Sequence, residues 1–306
     1  MSAATMPHPA RTADDLTVVP RRHLGRWVIG LVLIALCALL LRDVFTNKRF
    51  GWDLVWTELR DVSVLRGLGT TLLLTVICMA IGIALAVVLA VMRLSPNPVA
   101  QSVAFGYVSF FRGTPLLVQL LFWFNLAALY PVISFGLPGV HLNANALISP
   151  FTAAILGLGL NEAAYMSEVV RSGILSVDHG QVEAAAALGM GRGRTLRRIV
   201  LPQAMRVIMP PTGNETVGML KATAMVSVLA VPDLLYSTQI IYAQNFRPIP
   251  LLIVASIWYL AVTTVLSVGQ YYLERRYARG ERSLPPTPMQ RVRAMIRVRR
   301  QERTAR

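Results

Sequence analysis

The sequence predicts an all-α membrane protein with about six transmembrane helices. Three observations carry that reading. Of the 306 residues, 55% are hydrophobic and only 15% charged, where a soluble domain carries roughly 25% charged residues. The mean hydropathy is +0.54. Several apolar runs approach the roughly 20 residues that a helix needs to cross a bilayer core. Basic residues concentrate in alternate segments between those runs.

Six spans follow, at residues 25–44, 70–92, 114–134, 151–170, 206–231 and 249–273. The first resembles a signal sequence in length, with Arg21, Arg22 and Arg26 before it. The segment Arg42 to Lys48 offers no small-residue cleavage site, so it reads as an uncleaved helix. The second holds no charge between Thr70 and Met92, and the fifth is interrupted by Asn214, Glu215 and Lys221. Residues 45–69 read as an outer loop, with Trp52 and Trp56 at the membrane interface. Ser95 to Pro98 is a turn signal before a short helix at Val99 to Phe111. Gly136, Pro138 and Gly139 mark another turn, and Pro150 opens the fourth span.

With both termini in the cytoplasm, the inner segments hold 23 Lys and Arg residues and the outer loops hold six. That is the asymmetry expected of a multi-pass inner-membrane protein. Arg93 and Arg112 are counted among the inner, topology-setting residues, and eleven Arg residues follow Leu273. The net charge of +15 is thereby explained without nucleic acid. The basic tail suits either anionic lipid headgroups or a solvated disordered segment. Cys37 and Cys78 fall inside spans and read as small packing residues. No phosphate-binding loop and no Cys/His cluster occurs, so the chain itself is expected to hold neither ATP nor a metal.

The inner segment between spans four and five reads as two short helices with a break. Glu183 to Leu188 is good helix sequence, Gly189 suits a turn with positive φ, and Pro202 restricts Leu201 before it. Glu183-Ala184-Ala185, then Gly189, then Ile199-x-Leu201-Pro202, forms a spaced pattern. It resembles the EAA loop of permease subunits in ATP-binding cassette (ABC) importers. Further stretches resemble the polar amino-acid permeases of that family: Thr70 to Thr75, Phe111-Arg-Gly-Thr-Pro-Leu-Leu117, Ala164 to Ile174, Gly180-Gln181 and Leu220-Lys-Ala-Thr-Ala-Met-Val-Ser227. In the last, Ala224 and Met225 replace the family's usual Ser and Leu.

The resemblance covers about residues 66–273. It implies a type I importer permease fold, with the EAA loop at 176–203 forming cytoplasmic coupling helices. Residues 1–24 are then a cytoplasmic tail, 25–65 an additional N-terminal helix with its outer loop, and 274–306 a basic cytoplasmic tail. The implied partners are a dimer of ATPase subunits carrying ATP and Mg, a second permease subunit and an extracytoplasmic solute-binding protein. No catalytic residue is implied on this chain. Glu183, Ala184, Ala185, Gly189, Ile199, Leu201 and Pro202 are the residues expected to couple to the ATPase.

Charged groups within spans are costly and are functional candidates by default. Asn161, Glu162, Asn214, Glu215 and Lys221 are therefore candidates for the solute path. Lys221 with Glu162 or Glu215 would complement a zwitterion, or Lys221 would pair with a glutamate of a neighbouring helix. Glu168 and Arg171 suit a local ion pair three residues apart. The alternatives to a polar amino acid are an opine, a compatible solute or a small peptide on the same fold. A stand-alone secondary transporter would not need the EAA spacing and would more often show inverted repeats.

Overall fold

The computed structural model describes residues 24–133 and 142–277. The two tails and the turn read at Gly136, Pro138 and Gly139 lie outside the described residues. The chain divides into two units, at residues 1–52 and 53–306.

In the first unit α1 spans Leu24–Thr46. From Val28 to Leu41 its side chains are apolar on every face, and Leu31, Ile34 and Leu40 are all exposed, as expected for a helix that meets lipid. Cys37 is exposed here too, so the packing role expected for it is not seen. Asn47 caps a 3₁₀ turn at Lys48–Phe50, and Gly51 ends it in the left-handed region at φ 57°. Trp52 folds back, donating from Nε1 to the Val44 carbonyl at 2.8 Å and stacking on Phe45 with ring centroids 5.4 Å apart.

The second unit opens with α2 (Trp52–Glu58) and α3 (Val62–Arg93). The segment read as loop up to residue 69 is thus largely helical. Asp61 caps α3 by accepting from Ser63 and Val64. Val64 and Gly67 are buried, so tertiary packing holds a helix start too polar to read as membrane span. Asn97 and Pro98 then start α4 (Pro98–Gly113), in keeping with the turn signal there.

The chain bends by 103° between α4 and α5 (Leu116–Phe124). The span expected at 114–134 begins just after this bend and is not one helix, because α5 ends at Phe124. Asn125 caps α5, and Pro131 has no N–H to continue a helix. A single turn, α6 (Leu126–Leu129), follows, then the antiparallel pair β1 (Val132–Ile133) and β2 (Leu142–Asn143), and α7 (Ala144–Leu147). Ser149 caps α8 (Pro150–Leu175), with Pro150 in its first turn. After α8 come α9 (His179–Ala187) and α10 (Arg192–Thr195), then a π-turn at Leu196–Val200. α11 (Leu201–Ala222) passes into a 3₁₀ segment at Thr223–Leu229, so the expected span at 206–231 changes helix type before its end. A bend of 45° leads into α12 (Leu234–Asn245), and α13 (Pro248–Tyr277) closes the described chain.

Among the described residues α1, α3 and α13 are long and apolar enough to cross a membrane, or five spans if each bent pair is one. Adding α8, whose 26 residues reach about 39 Å at 1.5 Å each, gives six.

α3 and α8 make the most extensive helix pair. Leu74, Cys78 and Met79 of α3 share a buried cluster with Ala153, Ala154 and Leu158 of α8, Leu120 of α5 and Met219 of α11. Small residues permit this approach, as in membrane bundles generally. A Cβ at Gly82 would lie 2.7 Å from Glu162 Cγ and 2.9 Å from its Cβ.

The bend after α4 is fastened by side-chain amides. Gln119 Nε2 donates to the Phe111 carbonyl at 2.9 Å and to Thr114 Oγ1 at 2.7 Å. Asn161 Nδ2, from α8, donates to the same Phe111 carbonyl at 3.0 Å and to Gln119 Oε1 at 3.1 Å. Tyr107 adds a bond to the Leu160 carbonyl at 2.8 Å. Non-helical backbone at membrane depth is tolerated where protein satisfies its polar groups, and these bonds do so here.

Two stability predictions follow from this packing. Gly82→Ala should lower the thermal midpoint in detergent, because overpacking costs about 1–3 kcal/mol. Gly69→Ala on the same helix meets nothing within 4 Å and should leave the midpoint unchanged or slightly raised. Asn161→Leu should destabilise by about 1–3 kcal/mol, the cost of an unsatisfied buried polar group; differential scanning fluorimetry would show it as a lower midpoint.

Candidate functional site

The loop between α8 and α11 stands on a small apolar footing. Val177, Val200, Ala204 and Ile208 form a buried cluster, with Val169, Ile174 and Met205 packed against it. Asp178 starts α9 by accepting from the Gly180 N–H. Gly189 ends it. Met190 N–H donates to the Ala185 carbonyl at 3.0 Å and Gly189 N–H to Ala186 at 2.9 Å, with Gly189 at φ 72°. This is a Schellman cap, and nothing lies within 4 Å of where a Gly189 Cβ would be. Glycine is therefore set by backbone conformation, as its place in the sequence suggested, and not by crowding.

Pro202 does not interrupt the chain's helical course. Leu201 keeps helical angles, at φ −59° and ψ −45°, and its N–H donates to the Leu196 carbonyl five residues back. The ring of Pro202 would press on the Arg198 carbonyl in a regular helix. The π-turn widens the coil ahead of it and lets α11 run straight out of the loop.

The loop presents most of its signature outward. Glu183, Ala184, Gly189, Leu201 and Pro202 are exposed, Ile199 is half-buried and Ala185 is buried. Leu188, at the tip of α9, is 81% exposed. Arg192, Arg194, Arg197 and Arg198 are exposed beside it. A groove of about 460 Å³ runs between the end of α8, α9 and the π-turn, lined by Leu175, Val182, Met190 and Leu196 among others. The loop thus exposes a leucine among arginines, while a cap and an apolar footing hold its shape.

The polar residues read as path candidates divide into two groups. Asn161 is used up in the α4–α5 fastening described above. Asn214 is exposed and accepts from Gln270 Nε2 of α13 at 2.9 Å. Glu162 is 5% exposed, and its Oε1 lacks a partner. Glu215 is half-buried on α11. Lys221 is exposed in the last turn of α11. Among the described residues it makes no ion pair, so the pairing with a neighbouring glutamate is not seen. Glu168 does bond Arg171, at 2.9 Å, and also Arg93 at the end of α3, at 3.1 Å.

Two residues were passed over in the sequence. Gln119 is buried within an apolar run, and nothing in its neighbours marks it. Arg112 was counted as topology-setting. Its guanidinium instead lies over the Tyr165 ring, 5.2 Å from the centroid, in the middle part of α8.

Residues 79–279 match the family described as the binding-protein-dependent transport system inner membrane component. The arginine transport system permease protein ArgU of Corynebacterium glutamicum is 47% identical over 262 residues, which are 85% of this chain and 83% of that protein. The glutamine transport system permease protein GlnP of Escherichia coli is 33% identical over 228 residues, 74% of this chain and 98% of its own length. A chain of the crystal structure of an amino acid ABC transporter with histidines is 36% identical, at TM-score 0.63, covering 74% of this chain and 98% of that one. The chain belongs to the binding-protein-dependent transport system inner membrane components, the membrane-spanning permease subunits of ABC importers.

Proposed function

We propose that this chain is the permease subunit of an ATP-driven importer of a polar amino acid. The observation that carries the proposal is the capped, outward-facing loop at residues 176–203 on a six-span helical body. Relatives whose names specify arginine and glutamine transport support the cargo class. The reading places both termini in the cytoplasm, which the distribution of basic residues supports, and so puts the loop where ATP is.

The loop's exposed residues then seat in a dimer of ATPase subunits that hold ATP and Mg. Leu188 and the Ala184 face supply apolar contact, and Arg192 to Arg198 supply charge. A second permease subunit, a copy or a paralogue, completes the path, and an extracytoplasmic binding protein delivers the solute. Residues 66–273 form the transporting domain, with residues 25–65 added before it and the basic tail after it. The helical run from the π-turn through α11, which carries Pro210 and Pro211 within it, connects the loop to Glu215 and Lys221. Closure of the ATPases would move both ends together. Lys221, unpaired on the surface of α11, is placed to draw the amino acid's carboxylate, and Glu215 its ammonium. This chain supplies binding and motion, with no covalent step.

Gly189→Asp tests the coupling. An L-residue in the left-handed region costs about 1–2 kcal/mol, and the carboxylate adds bulk where the loop meets its partner. ATP-dependent uptake of labelled amino acid into vesicles carrying the variant and its partner subunits should fall at least tenfold, with membrane insertion intact. Uptake at the wild-type rate, or uptake without ATP, would contradict the proposal.

A further inference from the structure

Arg112 is the one candidate cation of the path that the sequence assigned elsewhere. Tyr165, on which it lies, is ten residues from the C-terminal end of α8, about 15 Å along the helix. Gly173 of α8 packs against Ile208 of α11, and the two helices run in opposite directions. Eight residues back along α8 from Gly173 is Tyr165; seven residues on along α11 from Ile208 is Glu215. The two therefore share a level within the bundle, and Arg112 shares it with them.

Three features make Arg112 more than a charge at a helix end. Its backbone is immobilised, because the carbonyl of the preceding residue, Phe111, accepts from both Gln119 and Asn161. One face of its guanidinium rests on Tyr165, an arrangement that orients the plane while leaving its edge open. Among the described residues no carboxylate lies within ion-pair distance of it; the ion pairs formed there use Arg93 and Arg171. A guanidinium offers a planar fork that matches a carboxylate in two parallel hydrogen bonds. The Arg112 side chain is exposed on this chain, so the open edge of the fork is accessible to a solute.

We propose that Arg112 is a specificity-determining residue of the path, the inner station that takes the carboxylate of the amino acid after Lys221 releases it, with Glu215 facing the ammonium. Lys221 lies six residues beyond Glu215 on α11, about 9 Å along the helix axis, so the two cations mark successive positions of one cargo. This assignment rests on the importer reading above and adds a second binding position to it.

The test uses the full permease–ATPase complex in lipid nanodiscs, without binding protein, and two probes: L-arginine and agmatine, which lacks only the carboxylate. The wild type should retain L-arginine at least tenfold more tightly than agmatine. Arg112→Gln should hold the two alike, with its thermal midpoint unchanged. Arg112→Lys, which keeps the charge but loses the fork, should discriminate less than the wild type. A wild type that holds both alike or holds neither would overturn the assignment, as would Arg112→Gln with its discrimination intact. ATP-dependent uptake by the complete transporter is measured separately. Failure there with discrimination preserved would remove the importer reading and leave Arg112 as a carboxylate site.

Discussion

The Phe111 carbonyl, accepting from the amides of both Gln119 and Asn161, is the constraint on which the rest of the bundle turns. A bilayer supplies no water to satisfy a broken helix, so a bend of 103° between α4 and α5 persists only if protein groups take over its hydrogen bonding. Two side-chain amides from different helices do this, and they tie the bend to α8 as well. With the bend fixed, α5 enters the core and places Leu120 against α8 and α3. The same fastening sets the backbone immediately before Arg112, so that its side chain reaches Tyr165.

From α8 the constraint passes to the loop and back. α8 and α3 are brought together over small residues, among them Gly82 opposite Glu162. The far end of α8 carries the apolar footing of Val177, Val200, Ala204 and Ile208. On that footing the loop has one defined shape: α9 closed by a Schellman cap at Gly189, then a π-turn that absorbs Pro202. Because the π-turn passes directly into α11, the loop and the polar residues Asn214, Glu215 and Lys221 belong to one continuous helical run. In the importer reading, a movement imposed at the exposed face of the loop would be passed along this run to those polar residues.

Much of this was legible in the sequence, for identifiable reasons. The spans of α3 and α13 are long unbroken apolar runs. The start of α8 is announced by Ser149-Pro150, that of α4 by Asn97-Pro98, and the end of α9 by Gly189, which has a conformational reason to be glycine. The bland reading of Glu168 with Arg171 holds as well, with Arg93 joining from α3. What escaped notice depends on tertiary context. The start of α3 is polar and is helical because Val64 and Gly67 are buried. The bend that precedes the third span is held by hydrogen bonds between residues 42 and 50 positions apart. Pro202 looked like a helix boundary because a local rule cannot anticipate a π-turn ahead of it. Arg112 looked topological because its partner ring, Tyr165, is remote in the chain.

In the importer reading, the exposed tip of α9 is where ATP hydrolysis and transport are joined. The most direct measurement replaces Leu188 by Cys, in a chain whose Cys37 and Cys78 are Ala, and follows cross-linking to the co-expressed ATPase subunit by a short bifunctional thiol reagent. The account predicts a permease–ATPase adduct at Leu188→Cys, none at a control cysteine in α1 such as Ile34→Cys, and loss of solute-stimulated ATP hydrolysis once the adduct forms. A complex that assembles and hydrolyses ATP in response to solute, with no adduct at position 188 and no effect of the reagent, would contradict it.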